Sequence, residues 1–254
     1  MNIGVISGSE PPNLMNDSDK VSVDTVYGSV QVKISDIEGN KVFYISRHGP
    51  EANRPPHKVN YKANIQALTA SHVKYIISFG TVGSLNKKMI PGHVVIPNDF
   101  IDITKKRDYT FHDDKRVHID MSHPFCNELR NAVIDQAEKI SSITIHEKGT
   151  YLVTEGPRLE TPAEIRMYQS FADIVGMTLV PEVVLARENG ICYVSLCLIC
   201  NMAAGLQSSI PASEISQIFT QKASVFSELL KHLILTYKPK DSCVCKTDYS
   251  MASL

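Results

Sequence analysis

VTEGPRLETPAEIRMYQSFADIVGMTLVPE, residues Val153 to Glu182, holds a charged turn, a capped helix, a strand and a second helix start within thirty residues. Thr161-Pro162-Ala163-Glu164 reads as a helix start. Thr161 is the N-cap, Pro162 sits at N1 where its missing N–H costs nothing, and Glu164 at N3 closes a capping box. The apolar run ADIVGM (172–177) is predicted as a strand, and Pro181-Glu182 opens a helix that stops at Gly190. Helix, strand and helix in so short a span is the alternation of an α/β domain. The polar residues of the stretch sit at element ends, where a fold presents groups to a ligand. Glu160 and Thr178 are the foremost of them.

Working outward, the same alternation extends over the chain. NIGVI (2–6) is predicted as a buried strand ending at the turn Ser7-Gly8-Ser9, with Pro11, Pro12 and Asn16 to Lys20 as a loop. VSVDTV and SVQVKI alternate with period 2 about Tyr27-Gly28, as a hairpin does. After a turn at Glu38-Gly39-Asn40, KVFYIS is a strand ending at Arg47-His48-Gly49. Val59 to Ala70 has helical spacing, and YIISFG is a third apolar run closed by Gly80 and Gly83. GHVVIPNDFIDIT is β-rich, RDYTFHDDKRVHID a long polar loop, Pro124 to Ile140 a helix, and GTYLVTEGP a strand entering a turn. ICYVSLCLIC (191–200) is a continuous apolar run, as in a strand buried on both faces. Ser213 to Leu235 is a last amphipathic helix. The expectation is one α/β domain with a mixed sheet over residues 1–237, followed by a loosely held tail at 238–254.

Composition narrows the function. A net charge of −1 and the absence of any Lys/Arg run longer than Lys105-Lys106-Arg107 argue against a nucleic-acid surface or an anionic membrane as the main partner. The chain starts with a short strand-like run rather than a basic n-region and long apolar stretch, and holds no apolar window of about 18 residues. A cytoplasmic location is expected. In that setting the six cysteines are expected to be reduced and mostly buried.

Ligands of open α/β sheets bind at the carboxyl ends of strands. Successive strand ends carry Ser7-Gly8-Ser9, Arg47-His48, Gly80-Thr81, Met177-Thr178 and Asn201. Hydroxyls, glycine amides, one arginine and one histidine suit a phosphate dianion: backbone N–H groups and hydroxyls donate, and arginine offers a charged fork. Each has a plainer reading as a turn or packing residue; the convergence is what points to phosphate. Glu160 and Asn201 differ in kind. A carboxylate beside an amide that both donates and accepts can read a heterocycle presenting an N–H next to a carbonyl or ring nitrogen. The plainer alternatives are a carboxylate favouring a helix dipole and a turn residue.

These residues fall within longer matches: SRHG (46–49), PHKVNYKANI (56–65), GSL (83–85), PGHVVIPNDFIDIT (91–104), HPFC (123–126), EGPRLETPAE (155–164), GMTLVPEVVLARENGICY (176–193) and CNMAAG (200–205). In that order and spacing the chain resembles, over nearly its whole length, the trimeric purine nucleoside phosphorylase and methylthioadenosine phosphorylase family. The resemblance implies a mixed, partly barrel-like β-sheet flanked by helices, and a trimer or a dimer of trimers. It assigns phosphate to Ser9, Arg47, His48, Gly80, Thr81 and Thr178, and the ribose to Met177. The base goes to Glu160 and Asn201, with Met202 and Ala203 adjacent. His118 matches a position that reaches a neighbouring subunit's site.

The implied reaction is phosphorolysis of a purine nucleoside to free base and ribose 1-phosphate, a pentosyl transfer with inorganic phosphate as co-substrate and neither cofactor nor metal. Relatives acting on methylthioadenosine resemble one another in carrying a small hydroxyl residue at the position of Glu160 and Asp at that of Asn201. A carboxylate accepts from the N1–H of hypoxanthine or guanine but faces a lone pair on adenine, so 6-oxopurine nucleosides are the expected substrates. At the 5′ end the family's usual histidine is missing: IPASEI (210–215) offers Ala212 and Ile215, which suits a 5′-methylthio group and keeps methylthioinosine or methylthioadenosine as an alternative. The first turn also departs from the family, with Glu10 where glycine is usual, which leaves a non-catalytic nucleoside-binding protein as a further alternative. Cys243-Val-Cys245 resembles a C-terminal Cys-x-Cys of thermophilic relatives, where it joins disulfide chemistry; two exposed tail thiols are the other reading. Cys197 and Cys200 lie in an apolar strand with no second pair at zinc spacing, so no zinc is expected.

Overall fold

A computed structural model describes residues 1–10, 14–239 and 243–252. The expected loop at Pro11 and Pro12 lies outside the described residues. Among the described residues eleven strands form one mixed sheet with helices on both faces. Strand β1 (Asn2–Ser7) runs parallel to β4 (Asn40–Ser46) on one side and to β5 (Tyr75–Ser84) on the other. The expected hairpin is β2 (Asp19–Thr25) and β3 (Gly28–Ile37), added antiparallel to β4. Strand β11 (Cys192–Met202) is paired along the whole of β5 and is buried over ten of its eleven residues, as its unbroken apolar run requires. The short strands β6 (Val94–Val95), β7 (Asp99–Asp102), β8 (Ile145–His146), β9 (Thr150–Val153) and β10 (Ile174–Gly176) complete the sheet.

Helices α1 (Tyr61–Ala70) and α4 (Leu179–Glu188) pack together on one face. Helices α2 (Asn127–Ala137) and α5 (Ala212–Thr236) pack on the other. Helix α3 (Pro162–Tyr168) begins with the capping box read from the sequence: Thr161 accepts from the Glu164 N–H and Glu164 accepts from the Thr161 N–H.

Two expectations are corrected. Gly80 and Gly83 do not close their strand. Strand β5 continues through both to Ser84 because β11 supplies hydrogen-bond partners along its full length, and pairing outweighs the poor strand propensity of glycine. Nor is the tail loosely held over its described part. Val244–Met251 is a helix, α6, docked by the buried Cys243 and Cys245 and by an Arg187–Asp248 ion pair of 2.7 Å. Burial of two small apolar thiols and one charge pair anchors a segment whose composition alone reads as polar.

Candidate active site

The sheet forks at β5, and the fork makes the site. One edge of β5 carries β11 throughout. The other pairs Tyr75 to Ser78 with β1 and Gly83 and Ser84 with β10, so residues 79–82 have no strand partner there among the described residues. A cavity of about 620 Å³ occupies this split. The carboxyl ends of β1, β4 and β10 open onto it, which is where α/β sheets hold ligands.

At one end the cavity is lined by Ser9, Arg47, His48, Gly80, Thr81 and Thr178, so the six residues expected at phosphate do converge. Thr178 is the N-cap of α4 yet makes no side-chain capping bond; its hydroxyl lies 3.9 Å from where a Cβ on Gly80 would be. His48 Nδ1 is 2.7 Å from the Arg54 carbonyl and therefore carries the hydrogen, which leaves Nε2 as the nitrogen nearer Gly8. Burial lowers the His48 pKa against the opposing pull of that carbonyl bond, so the ring is neutral near pH 7. Glu10 points away: it is ion-paired with Lys33 on β3.

Arg47 is less free than its sequence position suggests. Its guanidinium donates to both oxygens of Glu182 (2.7 and 2.9 Å), to the Phe79 carbonyl (2.8 Å) and to the Ser78 hydroxyl (2.6 Å). Burial disfavours its charge, but Glu182 more than offsets this and raises its pKa. Glu182 in turn accepts from Ser78 and from the Tyr193 hydroxyl, each at 2.8 Å, and is fully buried. The sequence reading took Glu182 only as a helix start. Its signal was a carboxylate next to a proline in a helix that is otherwise apolar at that turn.

At the other end lie Glu160, Asn201, Ala203 and Met177. Glu160 Oε1 accepts from Thr154 Oγ1 at 2.7 Å, and its Oε2 has no protein partner among the described residues. Asn201 follows a register shift in β11, which turns it toward Gly83; a Cβ there would lie 3.0 Å from Asn201 Nδ2. That nitrogen donates to the Met202 carbonyl at 2.9 Å, leaving one N–H and Oδ1 for a ligand. Met177 is held from behind by Gly156, at φ +66°, where any Cβ would come within 2.6 Å of the Met177 sulfur. Ile210, Ile215 and Phe219 supply an apolar wall from α5 and the segment before it.

Three expected residues do not line this cavity: Met202, Ala212 and His118. Met202 is the half-buried last residue of β11, and Ala212 is exposed as the first residue of α5. His118 is exposed on the long loop, its N–H donating to the Ala252 carbonyl. Conversely, Arg107, expected in a long polar loop, is buried. It donates to the carbonyls of Thr154 (3.3 Å), Glu155 (2.9 Å) and Val180, and so ties the strand end that holds Glu160 to the start of α4. Nothing local in RDYTF marks it; its partners are distant in sequence.

A family model described as "Phosphorylase superfamily" matches residues 2–235. The chain belongs to that superfamily. It is 42% identical over 252 residues to a probable 6-oxopurine nucleoside phosphorylase of Dictyoglomus turgidum, covering 97% of this chain and 95% of that one. It is 43% identical over 246 residues to an S-methyl-5′-thioadenosine phosphorylase of Pyrococcus furiosus, covering 96% and 95%. Among solved structures, a methylthioadenosine phosphorylase sourced from an antarctic soil metagenomic library superposes with a TM-score of 0.92 at 32% identity, covering 99% of this chain and 92% of that one. The expected family and its mixed α/β fold are thereby established. Among the described residues no helix is long and apolar enough to cross a membrane.

Proposed function

We propose that the protein cleaves 6-oxopurine nucleosides, inosine and guanosine, by phosphorolysis to the free base and ribose 1-phosphate. The observation that carries this reading is Glu160: a carboxylate on the cavity wall, steadied through one oxygen by Thr154, with its other oxygen unpaired. That oxygen accepts from N1–H of a 6-oxopurine and repels the N1 lone pair of adenine. The free Asn201 Nδ2–H can donate to O6 or N7, both acceptors, and would stabilise the departing purine anion. Phosphate at the Ser9, His48, Thr81 and Thr178 end attacks C1′ as the bond to N9 breaks. Its negative charge faces the cationic sugar, so positioning and electrostatics carry the step. The neutral His48, with its hydrogen on Nδ1, presents Nε2 as an acceptor that can take a proton from phosphate.

Initial rates on inosine and adenosine, each with and without phosphate, test this. Hypoxanthine release that requires phosphate, with kcat/KM about 10- to 100-fold above adenosine, is expected from the cost of a mismatched buried polar pair of ~1–3 kcal/mol. Equal rates on the two nucleosides, or no base release from any, would refute it. A second reading concerns only the 5′ end: the Ile210, Ile215 and Phe219 wall favours a methylthio group, making methylthioinosine the better substrate. Comparing its kcat/KM with that of inosine decides between them. We also propose a cytoplasmic homotrimer, or two stacked, in which His118 serves a neighbour's cavity. Light scattering reads the assembly, and a monomer that is fully active would refute the role of His118.

A further inference from the structure

Three distant parts of the chain bring four of its six cysteines together. Cys126 is the N-cap of α2, Cys192 opens β11, and Cys243 and Cys245 begin α6. Their sulfurs all lie within 4.8 Å of one another and all four residues are buried. Cys243 Sγ is 3.6 Å from Cys126 Sγ and 3.4 Å from Cys192 Sγ, so no exclusive pair stands out. A tetrahedral zinc tetrathiolate, with Zn–S about 2.3 Å, puts its sulfurs about 3.8 Å apart. The cluster, with sulfur pairs at 3.4 and 3.6 Å and all four sulfurs within 4.8 Å, brackets that spacing.

A second observation is the charge beside it. Arg187 is fully buried and donates through Nη2 to Asp248 at 2.7 Å, but its Nε and Nη1 have no partner among the described residues. The groups that its charge feels include Cys245 and Cys126. Two unpaired buried donors beside four neutral thiols lack an acceptor; thiolates provide one. Cys126 is suited to be a thiolate on its own account, since its sulfur accepts from the Leu129 N–H at 3.5 Å at a helix N-terminus.

We propose that Cys126, Cys192, Cys243 and Cys245 bind one Zn²⁺ as a closed tetrathiolate. The four thiols release their protons to solvent, and the resulting dianionic centre faces the Arg187 guanidinium. With all four positions filled by protein, the site is structural rather than catalytic, and none of its ligands lines the active-site cavity. Its work is to clamp α6 to the start of α2 and of β11. This reverses the expectation of no metal, which considered only cysteines close in sequence.

The test adds Zn²⁺ or Co²⁺ alone to the reduced full-length chain. The expected result is about one metal per chain retained through gel filtration. Co²⁺ should give the thiolate charge-transfer and intense visible bands of a tetrahedral sulfur site. Cys197→Ser should keep the site, and Cys243→Ser should weaken it by at least the about 10- to 100-fold seen for losing an outer-shell partner. The wild-type Co²⁺ spectrum decides the matter even if Cys243→Ser fails to fold. A reduced chain that takes up no metal overturns the proposal. So does mass spectrometry of the unreduced chain showing the four sulfurs joined as metal-free disulfides.

Discussion

Arg47 and Glu182, 135 residues apart, meet as a two-pronged ion pair at 2.7 and 2.9 Å with at most 2% of either side chain exposed. The pair joins the end of β4 to the first turn of α4 directly under the proposed phosphate site. Glu182→Gln leaves the Arg47 charge buried and uncompensated; the amide oxygen can still accept from Ser78 and Tyr193, but the amide nitrogen sets a donor against the Arg47 Nε–H. A loss of about 3–5 kcal/mol in unfolding free energy is expected, read from the urea midpoint.

Glu160→Ser removes the N1–H acceptor while leaving the Thr154 hydroxyl and the rest of the cavity in place. Inosine kcat/KM is expected to fall about 10- to 100-fold, while adenosine loses less or gains. A parallel fall on both nucleosides would show that Glu160 acts on something other than N1.

Glu10→Gly is expected to leave the phosphate KM unchanged, because the carboxylate is ion-paired with Lys33 instead of facing the cavity. A clear drop in phosphate KM would mean that the charge reaches the anion.

Gly83→Ala places a methyl group 3.0 Å from Asn201 Nδ2. Asn201 must move, so kcat is expected to fall about tenfold or more with a much smaller change in melting temperature. Steady-state kinetics and a thermal scan on the same preparation separate the two effects.

Acid sensitivity follows from three histidines. Burial lowers the pKa of His48, His93 and His146, and His93 Nδ1 lies 2.9 Å from His146 Nε2, where two added protons would repel. The unfolded chain binds these protons more readily than the folded one. Their contribution is therefore present above the ordinary histidine pKa of about 6.5 and lost as pH falls below it through the lowered folded values. The melting temperature should drop across that window, and His146→Gln should flatten the drop.

Local chemistry was legible in the sequence where local physics decides it. The capping box at Thr161 and Glu164, the hairpin about Tyr27-Gly28 and the doubly buried run of β11 depend on neighbours a few residues away, and all three stand in the structure. Most of the site was legible too, because strand ends are where side chains such as His48, Thr178 and Asn201 converge. Arg107 and Glu182 were not, since a buried charge is defined by partners far along the chain. Strand β5 was read too short for the same reason: its continuation past Gly80 is set by β11, not by its own residues.

The sequence by itself determined the alternation of elements, the family to which the chain is similar and the carboxylate–amide pair of Glu160 and Asn201. Only the tertiary structure decided which charges are neutralised in place, as with Glu10 by Lys33 and Arg47 by Glu182, and that the tail is a docked helix. It alone brought Cys126 and Cys192 against Cys243 and Cys245, with 117 residues of chain separating Cys126 from Cys243. Spacing rules for metal ligands act over a few residues, whereas folding sets distance in space, so a cluster assembled from three separate elements shows in the sequence only as its Cys243-Val-Cys245 pair.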